Sequence, residues 1–376
     1  MQILFVSHAA SNPNAGASRV YHLLTNGLRE RGHTVNCLHL NDFAMPRGLE
    51  FPAKRLLLPQ FASKTARKAL AKPVDVLMAS NGMLYPLFRE LATKPNRPLL
   101  VNHLHGLSLF DHQATMNETL RGHMSISLIY RTATGPLPIF WDNQGERFAD
   151  LTIVQNGRDA DAVEKPNGKP VIKIPLSVHA RIASAGQRAT SIAARDPFSL
   201  LWFASWIERK GRYYLPRALQ KIAARFPLVH LTLGGTEISP AAVKAAFHPS
   251  LHDQITVLPH ISVEEHIAQL ERNSIFLFPS LSEGFGFALL EAMSMGMACV
   301  TTQTGLGGDW LRDRESAMLI PAASSTHLAD AVIALLEDQA LRSNIAENAR
   351  VLSAQFTIER MLDQYESAFE QYRAKR

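Results

Sequence analysis

The chain reads as an α/β protein of two domains, each built on a parallel sheet. Three observations predict this. Short apolar runs alternate with helical stretches along the sequence, as a parallel sheet requires. At 376 residues the chain is too long for one typical core and suits two domains of about 150–200 residues. Its apolar content of 46% supplies large cores, yet no apolar run approaches the ~20 residues of a membrane-spanning helix.

The first series opens with Gln2–Ser7. Its Ile3-Leu4-Phe5-Val6 reads as a buried strand and not as a signal peptide, since it has no basic leader or cleavage region. The loop Ala10–Ala17 follows, then a helix from Ser18 to Arg31 closed by Gly32 as its C-terminal cap. His33–Leu40, Val74–Ala79, Pro98–His103, Leu151–Gln155 and Val171–Ile174 are further strands, with helices between several of them. Pro175 stops the last, which puts the end of the first domain at residue 176. The polar, alanine-rich piece Ser177–Asp196 reads as the interdomain connection. A second series, within 177–357, contains Phe198–Phe203, Val229–Leu233, Ile255–Leu258, Ile275–Pro279 and Ala298–Thr302 as strands. Helices at Ser325–Glu337, Ala340–Ser353 and Ile358–Ala374 finish the chain. No internal repeat or low-complexity tract is present.

The formal charge of +6 suggests a polyanionic partner, and its placement matters more than its size. Between Phe51 and Pro73 lie Lys54, Arg55, Lys64, Arg67, Lys68 and Lys72 with no acidic residue, interleaved with leucines, Phe61 and Ala66. Such a stretch is either a surface for an anionic membrane or a solvated helix. Nucleic acid is not an expected partner, because no basic, aromatic-interleaved recognition motif occurs. The two cysteines, Cys37 and Cys299, both fall inside apolar strand-like runs. They read as reduced core residues of a cytoplasmic protein, not as a disulfide.

The most informative stretch is 278–296, Phe-Pro-Ser-Leu-Ser-Glu-Gly-Phe-Gly-Phe-Ala-Leu-Leu-Glu-Ala-Met-Ser-Met-Gly. An apolar strand runs into a turn carrying Glu283, Gly284 and Gly286, and the turn opens into a helix holding Glu291. Glycines let the backbone approach a ligand, and the exposed N–H groups of a new helix attract an anion. On one continuous helix the two glutamates would differ by roughly 80°. With Glu283 in the loop and Glu291 on the second turn, both can reach one ligand from opposite ends. A phosphate beside two carboxylates that accept hydroxyl hydrogen bonds describes a nucleotide-sugar site.

This segment closely resembles the donor-binding signature of retaining GT-B glycosyltransferases, in particular family 4 with its Glu-x7-Glu pattern. The resemblance runs through most of the chain and is weakest at 40–75 and 180–195. It implies the GT-B fold, two Rossmann-like domains facing across a cleft, with the last helix, 358–376, packing back on the first. The implied activity is metal-independent transfer of a sugar from a nucleoside diphosphate with retention of configuration. The nucleotide-sugar is then a substrate and no cofactor is needed. A glycan or lipid-linked acceptor, cell-envelope polysaccharide or glycolipid synthesis, and a peripheral place on the inner membrane face are expectations of the same kind. Similar enzymes often dock the region of 51–73 onto membranes.

The resemblance also assigns residues. Glu283 would hold sugar hydroxyls and Glu291 the ribose hydroxyls. The backbone of Gly284, Phe285, Gly286 and Phe287, with Lys210, would cradle the phosphates and sugar. In Leu201–Gly211, Lys210 and Gly211 match the family's Lys-Gly. Its Gly-Arg falls on Ala204 and Ser205, so the arginine that clamps the diphosphate is missing, and Arg209 or Arg212 are the cations left to replace it. His260 and Ile261, after a strand, align with the base-contacting region. Thr304–Gly308 resembles a second glycine turn and equally suits plain loop punctuation. On the first domain His105-Gly106 matches a histidine that hydrogen-bonds the donor sugar, and Gly16 is carried over from the loop facing the diphosphate. His103 lies on the same strand face as His105. An His-x-His pair can hold a metal, but no matching ligand set accompanies it, so none is expected. Asp159-Ala160-Asp161 spells the metal motif of the other main glycosyltransferase fold in the wrong context and reads as a solvated turn. Two other classes share the architecture: a nucleotide-sugar epimerase or phosphorylase, and a catalytically weak partner subunit.

Overall fold

The computed structural model describes residues 1–13, 16–46, 53–163, 168–189 and 191–375, with the side chains of 53 and 54 left out. Asn14 and Ala15 of the N-terminal loop, and Phe51 and Pro52 of the basic stretch, lie outside the described residues. The chain forms two compact units, Met1–Leu176 with Ile358–Arg376, and Ser177–Thr357.

Unit 1 alternates strand and helix. Its strands are β1 (Gln2–Val6), β2 (Thr34–Leu38), β3 (Val76–Ser80), β4 (Leu99–His103), β5 (Leu151–Val154) and β6 (Val171–Lys173). Between them run α1 (Gly16–Glu30), α2 (Ala53–Ala69), α3 (Tyr85–Leu91), α4 (Ser108–Leu120), α5 (Leu137–Phe148) and α6 (Gly157–Ala162). All pairings are parallel, in the order β2-β1-β3-β4-β5-β6. Strands β1, β3 and β4 are almost wholly buried, as near-continuous apolar runs in a two-sided parallel sheet must be. Gly32 ends α1 as expected: its φ of +85° is left-handed and His33 N–H donates to Leu28 O at 3.0 Å.

Unit 2 begins with α7 (Ala180–Gly186) and then repeats the plan. Its strands are β7 (Ser199–Phe203), β8 (His230–Gly234), β9 (Ile255–Leu258), β10 (Ile275–Phe278), β11 (Ala298–Thr302) and β12 (Met318–Ile320). Its further helices are α8 (Leu215–Arg225), α9 (Pro240–Lys244), α10 (Val263–Arg272), α11 (Phe287–Ser294), α12 (Leu306–Asp309), α13 (Ser325–Glu337) and α14 (Gln339–Ser353). The last helix, α15 (Ile358–Ala374), belongs to unit 1, where Leu362 packs on Gly27 of α1. The second sheet is also parallel, in the order β12-β11-β10-β7-β8-β9.

One expectation is refined and one strand was missed. The described residues of 177–196, read as the interdomain connection, include α7 and are anchored on unit 2. The buried Arg195 guanidinium donates to the carbonyls of Leu270, Asn273 and Met295, at 3.0, 3.0 and 2.6 Å, and staples the segment to unit 2. Strand β12 was not anticipated, because three residues are too few for a period to show.

In each sheet the chain moves outward from its first strand and then returns to that strand's other side. Ligands of such sheets bind where this reversal occurs, at the carboxyl ends of the two adjoining strands. Those ends are β1 and β3 in unit 1, and β7 and β10 in unit 2.

Candidate functional site

The reversal in unit 2 joins two loops. After β7 the chain makes a tight turn, Glu208–Lys210, closed by Gly211 with φ +76°. A side chain at Gly211 would put its Cβ 2.1 Å from the Pro279 carbonyl oxygen, so only glycine lets the turn lie against the loop after β10. The two loops are tied by Leu281 N–H donating to Arg209 O at 2.7 Å. Across this seam Lys210 Nζ meets Glu283 Oε1 at 2.5 Å, with side-chain exposures of 15% and 6%.

The electrostatics follow from that contact. Burial pushes the Glu283 carboxyl up, but the charges of Lys210 and Arg209, with the hydrogen bond from Lys210, outweigh it and hold the group below the usual carboxylate range. Glu283 is a buried charge with its cations in place. Two of its neighbours follow at once. Gly286, with φ +104°, caps α11, and the aromatic ring of Phe285 packs with Trp310 and Phe356 at 6.2 and 5.9 Å between centroids. The glycine turn after β11 braces them from behind: Leu306 N–H donates to Phe285 O at 2.7 Å, and a Cβ on Gly305 would sit 2.4 Å from that same oxygen.

Glu291 stands on the second turn of α11, 3% exposed. His266 Nε2, from α10, lies 3.8 Å from its carboxylate, and the imidazole stacks on Phe203 at 3.9 Å and 10°. Phe203 in turn has Gly234 and Gly235 against its other surroundings; a Cβ on Gly234 would be 2.6 Å from the ring. His266 was missed by sequence reasoning. The only local signal is a capped helix start, Ser262 accepting from Glu265 N–H, directly after His260-Ile261. His260 itself is exposed and Ile261 half-buried, while Ser205 is half-buried at the end of β7. Arg212 stacks on Tyr213 and donates to its hydroxyl at 2.7 Å, which leaves Arg209 as the arginine whose charge acts on Glu283.

The reversal in unit 1 carries a different chemistry. His8, after β1, is bound to Ser80 Oγ at the end of β3 through both its backbone N–H and its Nδ1, each at 2.8 Å. His103 and His105 have ring centroids 4.3 Å apart, with Tyr21 of α1 edge-on to both at 5.7 and 5.4 Å. Gln155 bridges the two imidazoles and Tyr365 of α15 reaches His103. Burial pushes His8 down to about 4, His103 to about 3 and His105 well below its ordinary value, so the cluster is neutral. No group of three His, Cys, Asp or Glu that could hold a metal occurs among the described residues. Gly16 starts α1 with φ +38° and open space where a Cβ would point.

The backbone around His105 is held from outside. Asn81 accepts from His105 N–H at 3.1 Å and donates to Gly106 O at 3.0 Å, while Asp142 accepts from Ser108 N–H at 2.9 Å. Asp159 corrects the reading of 159–161 as a solvated turn. It is 1% exposed, bonded to the capping Asn156 and to the Leu107 backbone; only Asp161 faces solvent. Burial raises Asp142 to about 6 and Asp159 to about 7.

Comparison with known proteins bears on this geometry. Residues 197–338 match the family model for glycosyl transferases group 1. That segment holds the Lys210–Glu283 seam and α11. N-acetyl-alpha-D-glucosaminyl L-malate synthase of Bacillus anthracis is 32% identical over 122 residues, 32% of each chain. Phosphatidyl-myo-inositol mannosyltransferase of Mycolicibacterium smegmatis is 28% identical over 196 residues, 50% of this chain and 47% of that one. The chain therefore spans a third to a half of the length of these curated relatives. Among solved structures, sucrose-phosphate synthase from Thermosynechococcus elongatus superposes with a TM-score of 0.77 at 18% identity over 100% of both chains. HepE of Anabaena, solved in complex with UDP, gives 0.65 at 18% identity over 99% of this chain and 100% of that one. The fold is GT-B, with two six-stranded parallel sheets.

Basic helix α2 divides its faces. Ala62 and Ala66 are buried in the unit 1 core and Leu58, Phe61 and Leu70 pack against it. Leu56 and Leu57 are exposed, as are Lys64, Arg67, Lys68 and Lys72, with Arg67 paired to Glu90. No described helix is long and apolar enough to cross a membrane.

Proposed function

We propose that this chain is a metal-independent, retaining hexosyltransferase of the family 4 kind, moving a sugar from a nucleoside diphosphate to a glycan or lipid-linked acceptor. The observation that carries the proposal is the buried Lys210–Glu283 contact beside the glycine-capped start of α11. Lys210 and Arg209, with the first N–H groups of α11, take the growing charge of the leaving diphosphate. Glu283 accepts from sugar hydroxyls, and Glu291 from the ribose, with His266 against it. Phe203 and Ile261 supply apolar surface for the base. His105 is assigned a hydrogen bond to the donor sugar, given as a neutral dipole. With no nucleophile assigned, the leaving phosphate itself assists the acceptor on the same face of the sugar.

An envelope glycolipid or polysaccharide acceptor is supported by the mannosyltransferase relative, named for a phosphatidyl-inositol substrate. Peripheral membrane attachment from the cytoplasm draws on Leu56, Leu57, Lys64 and Lys68 of α2. Donor turnover with product analysis tests the proposal. A new glycoside with retained configuration, formed in excess EDTA, is the expected product. An isomerised donor would make the chain an epimerase, and tight nucleotide binding without turnover a partner subunit.

A further inference from the structure

Gln155 follows β5 and is 1% exposed. Its side-chain nitrogen lies 3.1 Å from His103 Nε2 and 3.4 Å from His105 Nδ1. An amide nitrogen carries two protons and accepts nothing. Both ring nitrogens that face it therefore present lone pairs. The Tyr365 hydroxyl, 2.8 Å from His103 Nε2, donates to that same acceptor. In a neutral imidazole the proton then sits on the far nitrogen, Nδ1 in His103 and Nε2 in His105. Those two atoms are the ones that are shut from solvent and make no hydrogen bond among the described residues. His103 is fully buried, whereas His105 is half-buried at the end of the strand run, so its Nε2–H, covered and unpartnered here, is the donor that a ligand entering at that end would uncover.

We propose that Gln155 is a positioning residue, holding His105 as the Nε2–H tautomer so that the histidine offers a hydrogen-bond donor and not a base or a cation. The inference rests on the reading of His105 as a contact of the donor sugar and specifies what that contact gives. A donor N–H suits a sugar hydroxyl oxygen, and a neutral ring adds no positive charge near a centre that itself becomes positive in the transfer. The titratable groups facing His105 are His103 on the same strand run, His8 after β1 and Tyr21 of α1, with Tyr365 of α15 behind His103. None of them brings a charge at neutral pH.

Nitrogen-15 spectra of the imidazoles of the full chain at neutral pH test this, with His103 and His105 assigned by single His→Gln variants. His105 is expected to carry its proton on Nε2. Gln155→Glu offers only acceptors, so the proton should move to Nδ1 or the ring become charged. Transfer kcat should fall roughly tenfold or more, as wrong-tautomer histidines do elsewhere, with nucleotide Kd unchanged. Gln155→Met, of similar length and without a donor, should give mixed tautomers and serves if the glutamate variant fails to fold. A wild-type proton on Nδ1, or one tautomer in all three proteins, overturns the proposal. If the tautomer moves while transfer is unaffected, the sugar contact assigned to His105 fails and only the hold on the ring survives.

Discussion

The two strand-end sites face the same physical force and answer it oppositely. In unit 2, Glu283 is driven up by burial and brought back down by Lys210 and Arg209, so the site keeps buried charge. In unit 1, burial goes largely uncompensated: His8, His103 and His105 are driven down, Asp142 and Asp159 up, and the site sheds charge. The lesson is that desolvation alone does not decide what a site can do; the partner placed against each group does.

The sharpest way to break this comparison is Lys210→Ala. It leaves the Glu283 carboxylate buried without its closest cation, so transfer should fall by about a hundredfold or more and stability by about 3 kcal/mol. Lys210→Met with Glu283→Gln, which removes both charges, should recover most of the melting temperature and none of the activity. Melting curves and initial rates on the three proteins decide it. Unchanged stability in Lys210→Ala would mean the pair is not buried charge at all.

Backbone strain separates the units next. Gly211→Ala must accept a left-handed φ of +76° and a carbonyl oxygen 2.1 Å from its Cβ, which costs about 2–4 kcal/mol. Gly16→Ala meets nothing within 4 Å and carries only the conformational penalty, about 1 kcal/mol. Denaturant titration of the two variants should therefore show a clear gap; equal losses would show that the seam in unit 2 is soft.

The smallest effect is pH-dependent. Asp159 holds its proton up to about 7 in the folded chain, against 3.8 for an ordinary aspartate, so its contribution is full at acid pH and is lost as pH rises through that window. Asp159→Asn keeps an acceptor for Leu107 and cannot ionise. It should gain on the wild type by roughly 1 kcal/mol or more between pH 5 and pH 8. Glu283 has the opposite sign, its folded value lying below 4.5, and its contribution is lost only as pH falls below that. Melting temperature against pH for Asp159→Asn and Glu283→Gln should show slopes of opposite sense in these separate windows.

Much of the fold was legible because a two-sided parallel sheet writes itself as apolar runs. The glycine turn after β10 was legible because glycines, acids and helix start fall in one short segment. What stayed hidden depends on distant partners. Residues 177–196 look polar and loose until the carbonyls of Leu270, Asn273 and Met295 are brought to Arg195. Asp159 looks solvated until α4 delivers the Leu107 backbone to it. His266 and Gln155 carry no motif, since one acts by stacking on Phe203 and the other by facing two histidines from the next strand. The basic run 51–73 was plain as composition, but which leucines turn outward was not, since that depends on how α2 lies on the unit 1 core.

The central claim is that unit 2 holds a nucleotide diphosphate through Lys210 and the start of α11 without a metal. Calorimetric titration of the full chain with UDP, GDP and ADP, each in excess EDTA, tests it most directly. The account predicts tight binding of one of the three, weakened at least about tenfold by Lys210→Ala. No binding of any nucleotide, or equal affinity in the variant, would contradict it.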